Sequence, residues 1–333
     1  MRALSVEEFE GESEGFDRAV SATVGIDHFC SSSDWVVPAS VALMPEREAY
    51  LRRGEGGWAA LMRHRQPAGW YSLEALEAAW GLACPLAGLD VALLVEELVA
   101  DCASAVPNDV LVLSGVPRGS ALHGALVARL GPRYRVETEM VPPARRYRAR
   151  LDGGVDGFMG RRSAAFRANL RQASRRAARE AIRFEEVPAR DEAEVKALYA
   201  RALAIDARSW KGESGVGIAD GGLEEFYRLM LPRLVRRQAV RARIARHRDR
   251  DVAYIFGGLI HGAGDGLIYR GLQFAFDSDY RAYGLGNVAQ YEMIVALCEE
   301  GVSVYDLGSE VDYKRRWGEE CMETLTVVGI PRR

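Results

Sequence analysis

The sequence predicts an α/β (α+β) fold in which mixed central sheets are flanked by helices. Helical and extended hydrophobic patterns alternate along the chain, and most of the connections between them are short. Alternation of this kind favours layered α/β or α+β architectures over helix bundles and sandwiches. At 333 residues the chain is long enough for two domains of ordinary size. We therefore expect two domains, each built around a mixed sheet.

Composition narrows the class of protein. Hydrophobic residues make up 48% and charged residues 27% of the chain, and the net charge is −3. These values exclude a disordered tail protein and provide no global attraction to nucleic acid or anionic membranes. The acidic N-terminal stretch has the wrong charge for a signal or transit peptide, and no apolar run reaches about 20 residues. We expect a cytoplasmic protein without membrane or DNA partners.

Cysteine and histidine positions give no sign of a metal site or a disulfide framework. The cysteines are odd in number, far apart in the chain and without a C-x-x-C pair. The histidines show no H-E-x-x-H or comparable ligand spacing. We therefore expect no metal.

Elements of the first half follow from hydrophobic periodicity. The patterns predict a strand at 58–64, helices at 73–80 and 91–105, a strand at 110–114, a helix at 120–130, and extended segments at 134–140 and 147–151. Candidate catalytic residues are few here, so we expect this half to support and shape a cleft. The punctuation at Pro142, Pro143, Gly153 and Gly154 places the start of the functional half near residues 144–160.

The second half opens with a strongly basic segment. Residues 161–183 contain eight arginines and one acidic residue, with an apolar stripe and a separate arginine row at helical spacing. The stripe is Phe166, Leu170, Ala173 and Ala177, and the row, here called the arginine ridge, is Arg167, Arg171, Arg175 and Arg179. The ridge is either a solvated helix face or a surface that contacts phosphates of a nucleotide or an RNA.

Further along, the patterns predict a strand at 182–187, helices at 192–208 and 223–238, and extended runs at 240–247, 252–260 and 267–276. Short polar joins, including residues 261–266, favour antiparallel hairpins between these runs. The glycine-rich residues 215–222 lack the Lys-Ser/Thr ending of an ATP-binding loop, so we interpret them as a mobile connector or lid. Strands are also expected at 302–307 and 324–330.

Residues 281–287, here called the glycine turn, follow the run 267–276 and open a helical pattern that ends near Glu300 and Gly301. Two glycines in the turn allow backbone N–H groups to converge, and the helix dipole adds positive potential. The turn therefore predicts a site for phosphate or pyrophosphate. The helix is predicted from a stripe of Tyr291, Ile294, Val295 and Cys298.

The order strand, R-x-x-G-x-G, helix, strand resembles the acyl-CoA-binding core of the GNAT superfamily of N-acyltransferases. The run Arg208-Ser209-Trp210-Lys211-Gly212, together with the arginine-rich helix upstream, resembles the CelD-like GNAT proteins and, more distantly, the Fem aminoacyl transferases. The resemblance covers roughly residues 80–333 and is strongest in 260–318. It implies a double GNAT-like fold, with a degenerate domain at 1–143 and an acyl-CoA-binding domain at 144–333.

The resemblance also implies which residues form the site. The donor, acetyl-CoA or another acyl-CoA, would be bound by Arg281, Tyr283, Gly284, Leu285, Gly286, Asn287 and Lys314. The acceptor would be bound by Arg208, Trp210, Lys211 and Gln273. Acyl transfer to an amine needs a base for the ammonium proton and an acid for the departing thiolate. Asp306 and Glu310 are the candidate bases, Tyr313 is the candidate acid, and a backbone N–H within 269–275 would polarise the thioester carbonyl.

Several of these residues have structural alternatives. Asp306 could cap the following turn, and Glu310 could simply be exposed. Tyr313 could belong to the core, and Trp210 could be an aromatic plug between domains. Lys314 could pair with Asp306 or Glu310, while in Fem-like proteins the corresponding lysine lies near the 3′ end of the acyl donor.

Three functions remain open from the sequence. The first is an acyl-CoA-dependent N-acyltransferase acting on an amine of a small molecule, amino acid or peptide. The second is a Fem-like transferase that uses aminoacyl-tRNA, and the third is a non-catalytic GNAT-fold binding module. The intact R-x-x-G-x-G turn and the lack of a recognisable coiled-coil arm favour the first, and the acceptor and the oligomeric state stay undetermined.

Overall fold

The structure of the protein, a computed structural model, describes residues 1–262 and 264–332. The strands are β1 (Arg2–Leu4), β2 (Glu48–Arg53), β3 (Trp58–Arg65), β4 (Tyr71–Ala75), β5 (Leu86–Ala87), β6 (Val110–Pro117), β7 (Tyr134–Glu137), β8 (Ala144–Arg150), β9 (Arg183–Glu186), β10 (Val240–His247), β11 (Arg250–Gly262), β12 (Gly266–Phe276), β13 (Val304–Ser309) and β14 (Glu320–Pro331). Ala263, in the predicted join 261–266, lies outside the described residues.

The helices of the first part of the chain are α1 (Val6–Gly11), α2 (Ser13–Ala22), α3 (His28–Ser31), α4 (Ser33–Leu43), α5 (Val91–Ala105) and α6 (Ala121–Leu130). Those that follow are α7 (Gly154–Gly160), α8 (Ala164–Arg179), α9 (Glu192–Asp206), α10 (Trp210–Glu213), α11 (Leu223–Arg236) and α12 (Leu285–Glu299). Two short 3₁₀ helices span Ser278–Tyr283 and Asp312–Arg316.

The chain forms two compact units. The first comprises Met1–Arg145 and the segment that begins at Met322, and the second comprises Arg146–Cys321. The strand order in the first unit is β1-β2-β3-β4-β6-β14, with β5 beside β3 and β7 beside β14. In the second unit the order is β8-β13-β12-β11-β10-β9.

The same connection order occurs in both units. In the first, β2, β3 and β4 form an antiparallel meander, α5 follows, and β6 returns parallel to β4. In the second, β10, β11 and β12 form the meander, α12 follows, and β13 returns parallel to β12. A crossover through a helix is what a parallel pair requires. The predicted fold class, mixed sheets flanked by helices, is confirmed.

The core of the second unit shows which predicted helix faces are buried. Leu170, Ala173 and Ala177 of α8 are buried and Phe166 packs against the core, so the predicted apolar stripe is confirmed. The predicted stripe of α12 is shifted, because Met293, Ile294 and Leu297 are buried whereas Tyr291, Val295 and Cys298 are partly exposed. Apolar residues lie on more than one face of this helix, so packing against the sheet determines which face is buried.

The predicted helix at 73–80 is wrong. Residues 71–75 form strand β4, which pairs antiparallel with β3 and parallel with β6. Leu73 and Ala75 are fully buried in this sheet. The segment is short, and apolar residues in a short run fit either period, so pairing with neighbouring strands decides its conformation.

Candidate active site

The central feature of the second unit is the point where β12 and β13 separate. The two strands pair in parallel from Ile268 and Val304 to Arg270 and Asp306. One residue further on, β12 carries a bulge: Gly271 and Gln273 face consecutive residues of β11, which leaves Leu272 as the extra residue. A bulge bends its strand and releases backbone groups from the ladder. The parallel strands therefore diverge where the bulge begins.

A cavity of about 430 Å³, here called the site cavity, lies at this divergence. Its volume falls within the usual range for small-molecule sites, about 300–1,000 Å³. Its walls come from β12, β13, α12 and the segments around residues 210 and 313. The lining residues are Trp210, Lys211, Ile255, Gly271, Leu272, Gln273, Phe274, Ala275, Phe276, Gln290, Tyr305, Leu307, Val311, Tyr313 and Lys314.

The cavity brings together five residues that the sequence predicted for the site: Trp210, Lys211, Gln273, Tyr313 and Lys314. The Lys211 ammonium donates to Gln273 Oε1 over 2.7 Å, and Gln273 Nε2 donates to the Tyr227 hydroxyl over 3.0 Å. The Lys314 ammonium donates to the Ser309 carbonyl over 2.7 Å. Both lysines are thus held in the cavity by neutral acceptors.

Partial burial changes the acidity of these groups. Desolvation lowers the pKa of Lys211, and it lowers the pKa of Lys314 to about 8, with the nearby Arg270 and Lys211 charges adding to the effect. Burial raises the pKa of the Tyr313 hydroxyl, so this group stays protonated at neutral pH. The Tyr313 ring packs edge-on against Phe274, with 5.9 Å between ring centroids.

Asp306 does not line the cavity. It is buried, and its carboxylate contacts Arg146 and Arg270 and accepts the Gly308 N–H over 2.8 Å. Its acceptor sites are therefore occupied by cations and by the turn that it caps. This geometry matches the turn-capping alternative and gives no support to the prediction that Asp306 is the base.

Glu310 and Arg208 also lie outside the cavity lining. Glu310 accepts from the Tyr147 hydroxyl over 3.2 Å and from Arg315 over 2.6 Å at the protein surface. Arg208 donates to Asp277 over 2.7 Å and to the Asp251 carbonyl over 2.8 Å. Arg208 thereby fixes the end of α9 to the chain that follows β12.

In the glycine turn, residues 281–283 end a 3₁₀ helix, Gly284 follows, and residues 285–287 form the first turn of α12. Gly284 precedes the helix with a φ of +67°, and no side chain caps the α12 N-terminus. A Cβ on Gly284 would lie 3.2 Å from the Ala173 side chain, and one on Gly286 would lie 3.1 Å from the Phe274 ring. Gly284 is therefore required by backbone conformation and by close packing with α8, and Gly286 by packing against β12.

Basic grooves flank this region of the second unit. One, of about 470 Å³, is lined by both Asn287 and Tyr313, together with Arg161, Arg315 and Arg316. Another, of about 450 Å³, is lined by Ala168, Arg171, Gln172, Arg175, Arg176 and Arg179.

The exposed arginines of the second groove lack acidic partners. In the part of the chain that the structure describes, Arg171, Arg175 and Arg179 have no carboxylate within 4.0 Å. Arg176 differs, because it donates to the Ala282 carbonyl in the glycine turn. Most of the arginine ridge is thus available to an anionic ligand, and its helix contacts the turn.

One buried polar residue of the cavity lining was missed at the sequence level. Gln290 is buried on α12 and accepts from the buried Tyr305 hydroxyl over 3.4 Å. A signal was present, because Gln290 is a polar residue three positions before Met293 on the buried face of the helix.

Across residues 1–262 and 264–332, no three His, Cys, Asp or Glu side chains are grouped as a metal would require. Within the same residues, none of the helices has both the length and the apolar character of a bilayer span.

Comparison with known proteins identifies the class of the second unit. Residues 164–315 match the family described as Acetyltransferase (GNAT) domain. The matched segment contains every predicted site residue from Arg208 to Lys314. This part of the chain is thus similar to GNAT acetyltransferase domains, and the match indicates a transferase enzyme. No curated protein matches the sequence.

Solved structures with a similar fold span nearly the whole chain. FemX matches with a TM-score of 0.65 at 12% identity, covering 100% of this chain and 98% of FemX. A conserved protein of unknown function from Bacteroides thetaiotaomicron VPI-5482 matches with a TM-score of 0.61 at 11% identity, covering 96% and 97% of the two chains.

A third similar structure is the C-terminal domain of a putative lysylphosphatidylglycerol synthetase from Agrobacterium fabrum. It matches with a TM-score of 0.53 at 14% identity, covering 88% of this chain and 90% of that domain. At such low identities the similarity concerns the fold and does not define a donor or an acceptor.

Proposed function

We propose that this protein is an acyl-CoA-dependent N-acyltransferase of the CelD-like GNAT type, with acetyl-CoA as the first donor to test. Its acceptor would be an amine of a small molecule, amino acid or peptide in the cytoplasm. The observation that carries the proposal is the divergence of β12 and β13 into the site cavity, in the same unit as an α12 N-terminus without a side-chain cap. Such a helix end favours phosphate, and the cavity accommodates the acyl group and the amine.

The donor's pyrophosphate would bind at the glycine turn. The first N–H groups of α12, at Leu285 and Gly286, lack intrahelical acceptors by helix geometry and add the positive end of the helix dipole. Arg176 already contacts the turn, and the remaining arginine ridge extends from it along α8. These cations would contact the other phosphates of the donor.

The chemical step requires few groups. The acceptor nitrogen forms a C–N bond to the acyl carbon, the C–S bond breaks, and the sulfur leaves as a thiol after gaining a proton. Tyr313 lines the cavity, its raised pKa keeps the hydroxyl protonated, and this hydroxyl would supply that proton. Backbone N–H groups at the β12 bulge would polarise the carbonyl.

The acceptor amine must lose a proton, and Glu310 remains the candidate base, acting through water from outside the cavity lining. The Lys211 and Lys314 charges would assist, since neighbouring cations lower the pKa of an amine. If Glu310 is the base, Glu310→Gln lowers kcat roughly tenfold or more and leaves donor affinity unchanged. An unaltered pH–rate profile in this variant would assign the role elsewhere.

A second candidate function is transfer from aminoacyl-tRNA, as in Fem proteins. The specific observation in its favour is the groove lined by Arg171, Arg175, Arg176 and Arg179, since arginines without acidic partners suit a nucleic-acid backbone. A non-catalytic binding module is the third possibility from the sequence, and no feature of the cavity favours it over catalysis.

Calorimetric titration with acetyl-CoA, and then with longer acyl-CoAs, tests the donor. Micromolar binding at moderate salt is the expected result. If no acyl-CoA binds but charged tRNA does, with a loss of affinity when Arg171 and Arg175 are both replaced by glutamine, the Fem-like function is correct. Binding of neither donor would favour the non-catalytic module.

A further inference from the structure

The site cavity contains a lysine pair, Lys211 and Lys314, and neither ammonium forms an ion pair in the described part of the chain. The carboxylates of Asp206 and Asp306 act on them only from beyond 4.0 Å. Each ammonium donates to a neutral oxygen, of Gln273 or of the Ser309 backbone. Neither lies within 4.0 Å of a carboxylate among residues 1–262 and 264–332. Two ammonium groups among otherwise uncharged lining residues are an electrostatic cost that a bound anion would offset.

Lysine is scarce in this sequence, which makes the pair more informative. The chain has three lysines, and the third, Lys196, lies exposed on α9. Arginine supplies the other positive side chains, including those of the grooves lined by Arg171 and Arg315. The site cavity therefore contains compact point charges, whereas the flanking grooves contain planar guanidinium groups that suit phosphate.

We propose that the acceptor is an amine that also carries a carboxylate, attached to an apolar or aromatic body, and that the lysine pair binds this carboxylate. An L-amino acid with an apolar side chain is the simplest member of the class. The inference rests on the proposed function, because it assigns the acceptor of the same site. It adds a substrate class that neither the fold nor the family defines.

The cavity walls support the apolar body of such an acceptor. Trp210, Phe274, Phe276 and Tyr313 contribute aromatic surface, and Leu272, Leu307 and Val311 contribute aliphatic surface. The lysine pair supplies the charged lining side chains, so one end of a ligand would be anionic and the rest apolar. None of the glycine-turn residues lines this cavity, which separates the acceptor's carboxylate from the proposed site for donor phosphates.

The test measures binding without requiring turnover. Calorimetry compares matched ligand pairs that differ only in the carboxylate: N-acetyl-L-phenylalanine with N-acetylphenethylamine, and N-acetyl-L-leucine with N-acetylisoamylamine. We expect the carboxylate to improve affinity about tenfold or more in at least one pair, as a charge-assisted contact would. Equal affinity within both pairs would overturn the proposal.

Variants locate the effect on the lysine pair. Lys211→Met and Lys314→Met should each reduce the carboxylate preference, and the double variant should abolish it. Lys196→Met, the matched control, should retain it in full. A preference that persists in the double variant would place the anion elsewhere and overturn the proposal. If a variant fails to fold, the ligand pairs still decide the question with the unmodified protein.

Two further outcomes distinguish this inference from the proposal that the protein uses acyl-CoA as its donor. If the lysine pair binds phosphates of the donor, the methionine variants will lose affinity for CoA and not for the N-acetyl amino acids, which would overturn the inference. If acetyl-CoA does not bind at all but the carboxylate preference depends on the lysine pair, the inference is supported and the donor proposal fails.

Discussion

The two units share one connection order but differ at the site where the parallel strands part. In the first unit the N-terminus of α5 is capped by Asp90, whose carboxylate accepts the Leu93 N–H over 3.0 Å. The β2–β3 hairpin also packs there, since a Cβ on Gly56 would lie 2.3 Å from the Leu94 nitrogen. The corresponding helix of the second unit, α12, begins at a glycine without a side-chain cap.

The two units also differ in the space beyond the last paired residues of their two parallel strands, which is filled in the first unit and open in the second. In the first unit the chain itself fills it, because a Cβ on Gly115 would lie 2.5 Å from backbone atoms of Ala83 and Cys84. Glu77 is buried there, with its pKa raised by desolvation, and accepts the Trp80 N–H over 2.6 Å. In the second unit the equivalent region is the site cavity. The topology alone does not make a site; an uncapped helix and an unfilled divergence are also needed.

Among the substitutions that test this difference between the units, one that blocks the N-terminus of α12 should have the largest effect. Gly284→Val places a β-branched side chain at a left-handed φ and against Ala173, so donor affinity should fall about 100-fold or more. Gly301→Val is the matched control, because Gly301 has a φ of +80° at the other end of α12 and open space around it. Calorimetry with acetyl-CoA should show loss in the first variant and near-normal affinity in the second. Equal acetyl-CoA affinity in both variants would remove the glycine turn from donor binding.

Removing the hydroxyl of Tyr313, the proposed proton donor, should have the next largest effect. Tyr313→Phe keeps the ring packing against Phe274 but removes the hydroxyl, so kcat should fall roughly 10- to 100-fold with little change in donor affinity. Steady-state kinetics with acetyl-CoA measures the change. Unchanged kcat at every pH would mean that water or another group protonates the thiolate.

The lysine pair should give carboxylate binding a pH dependence. The pKa of Lys314 is lowered from 10.5 to about 8, with Arg270, Asp306 and Lys211 as its charged neighbours. Lys314 therefore loses its charge as pH rises through about 8, and affinity for N-acetyl-L-phenylalanine should fall several-fold between about pH 7 and 9. This ligand has no amine that titrates. The fall should vanish in Lys314→Met, and a fall that persists would assign the titration to Lys211 or another group.

The smallest effect is expected in the first unit. Asp90→Ala removes the α5 cap and should lower the free energy of unfolding by about 1 kcal/mol, without changing kcat or donor affinity. Thermal unfolding and acetyl-CoA titration measure the two quantities. New acetyl-CoA binding to this variant, beyond one donor per chain, would show that the cap alone keeps the first unit closed.

The fold was predictable where periodicity and punctuation agree. Val91–Ala105 and Val240–His247 match their predicted ranges because each is long enough for one period to dominate. The helix prediction for 73–80 failed because a short apolar run fits both the helical and the strand period. The conformation of this segment depends instead on pairing with β3 and β6. The segment that begins at Met322 belongs to the first unit, and this too depends on tertiary contacts that the local sequence does not reveal.

The sequence predicted several residues that line the cavity but not the contacts of the candidate site. Trp210, Lys211, Gln273, Tyr313 and Lys314 do meet in one cavity. Asp306, in contrast, is enclosed by Arg146 and Arg270, which lie far from it in the chain. A local D-x-G pattern contains no information about such partners. That neither lysine of the pair forms an ion pair within the described residues could be recognised only from the folded chain.

The first unit contains strands from both ends of the chain, and this affects the order in which its parts are synthesised. Its sheet includes β14, so its last strand leaves the ribosome only after the whole of the second unit has been synthesised. At translation rates of about 5–20 residues per second, the earlier part of the first unit waits roughly ten to forty seconds for that strand. During this interval the edge of β6 that will receive β14 is a surface that a chaperone could protect.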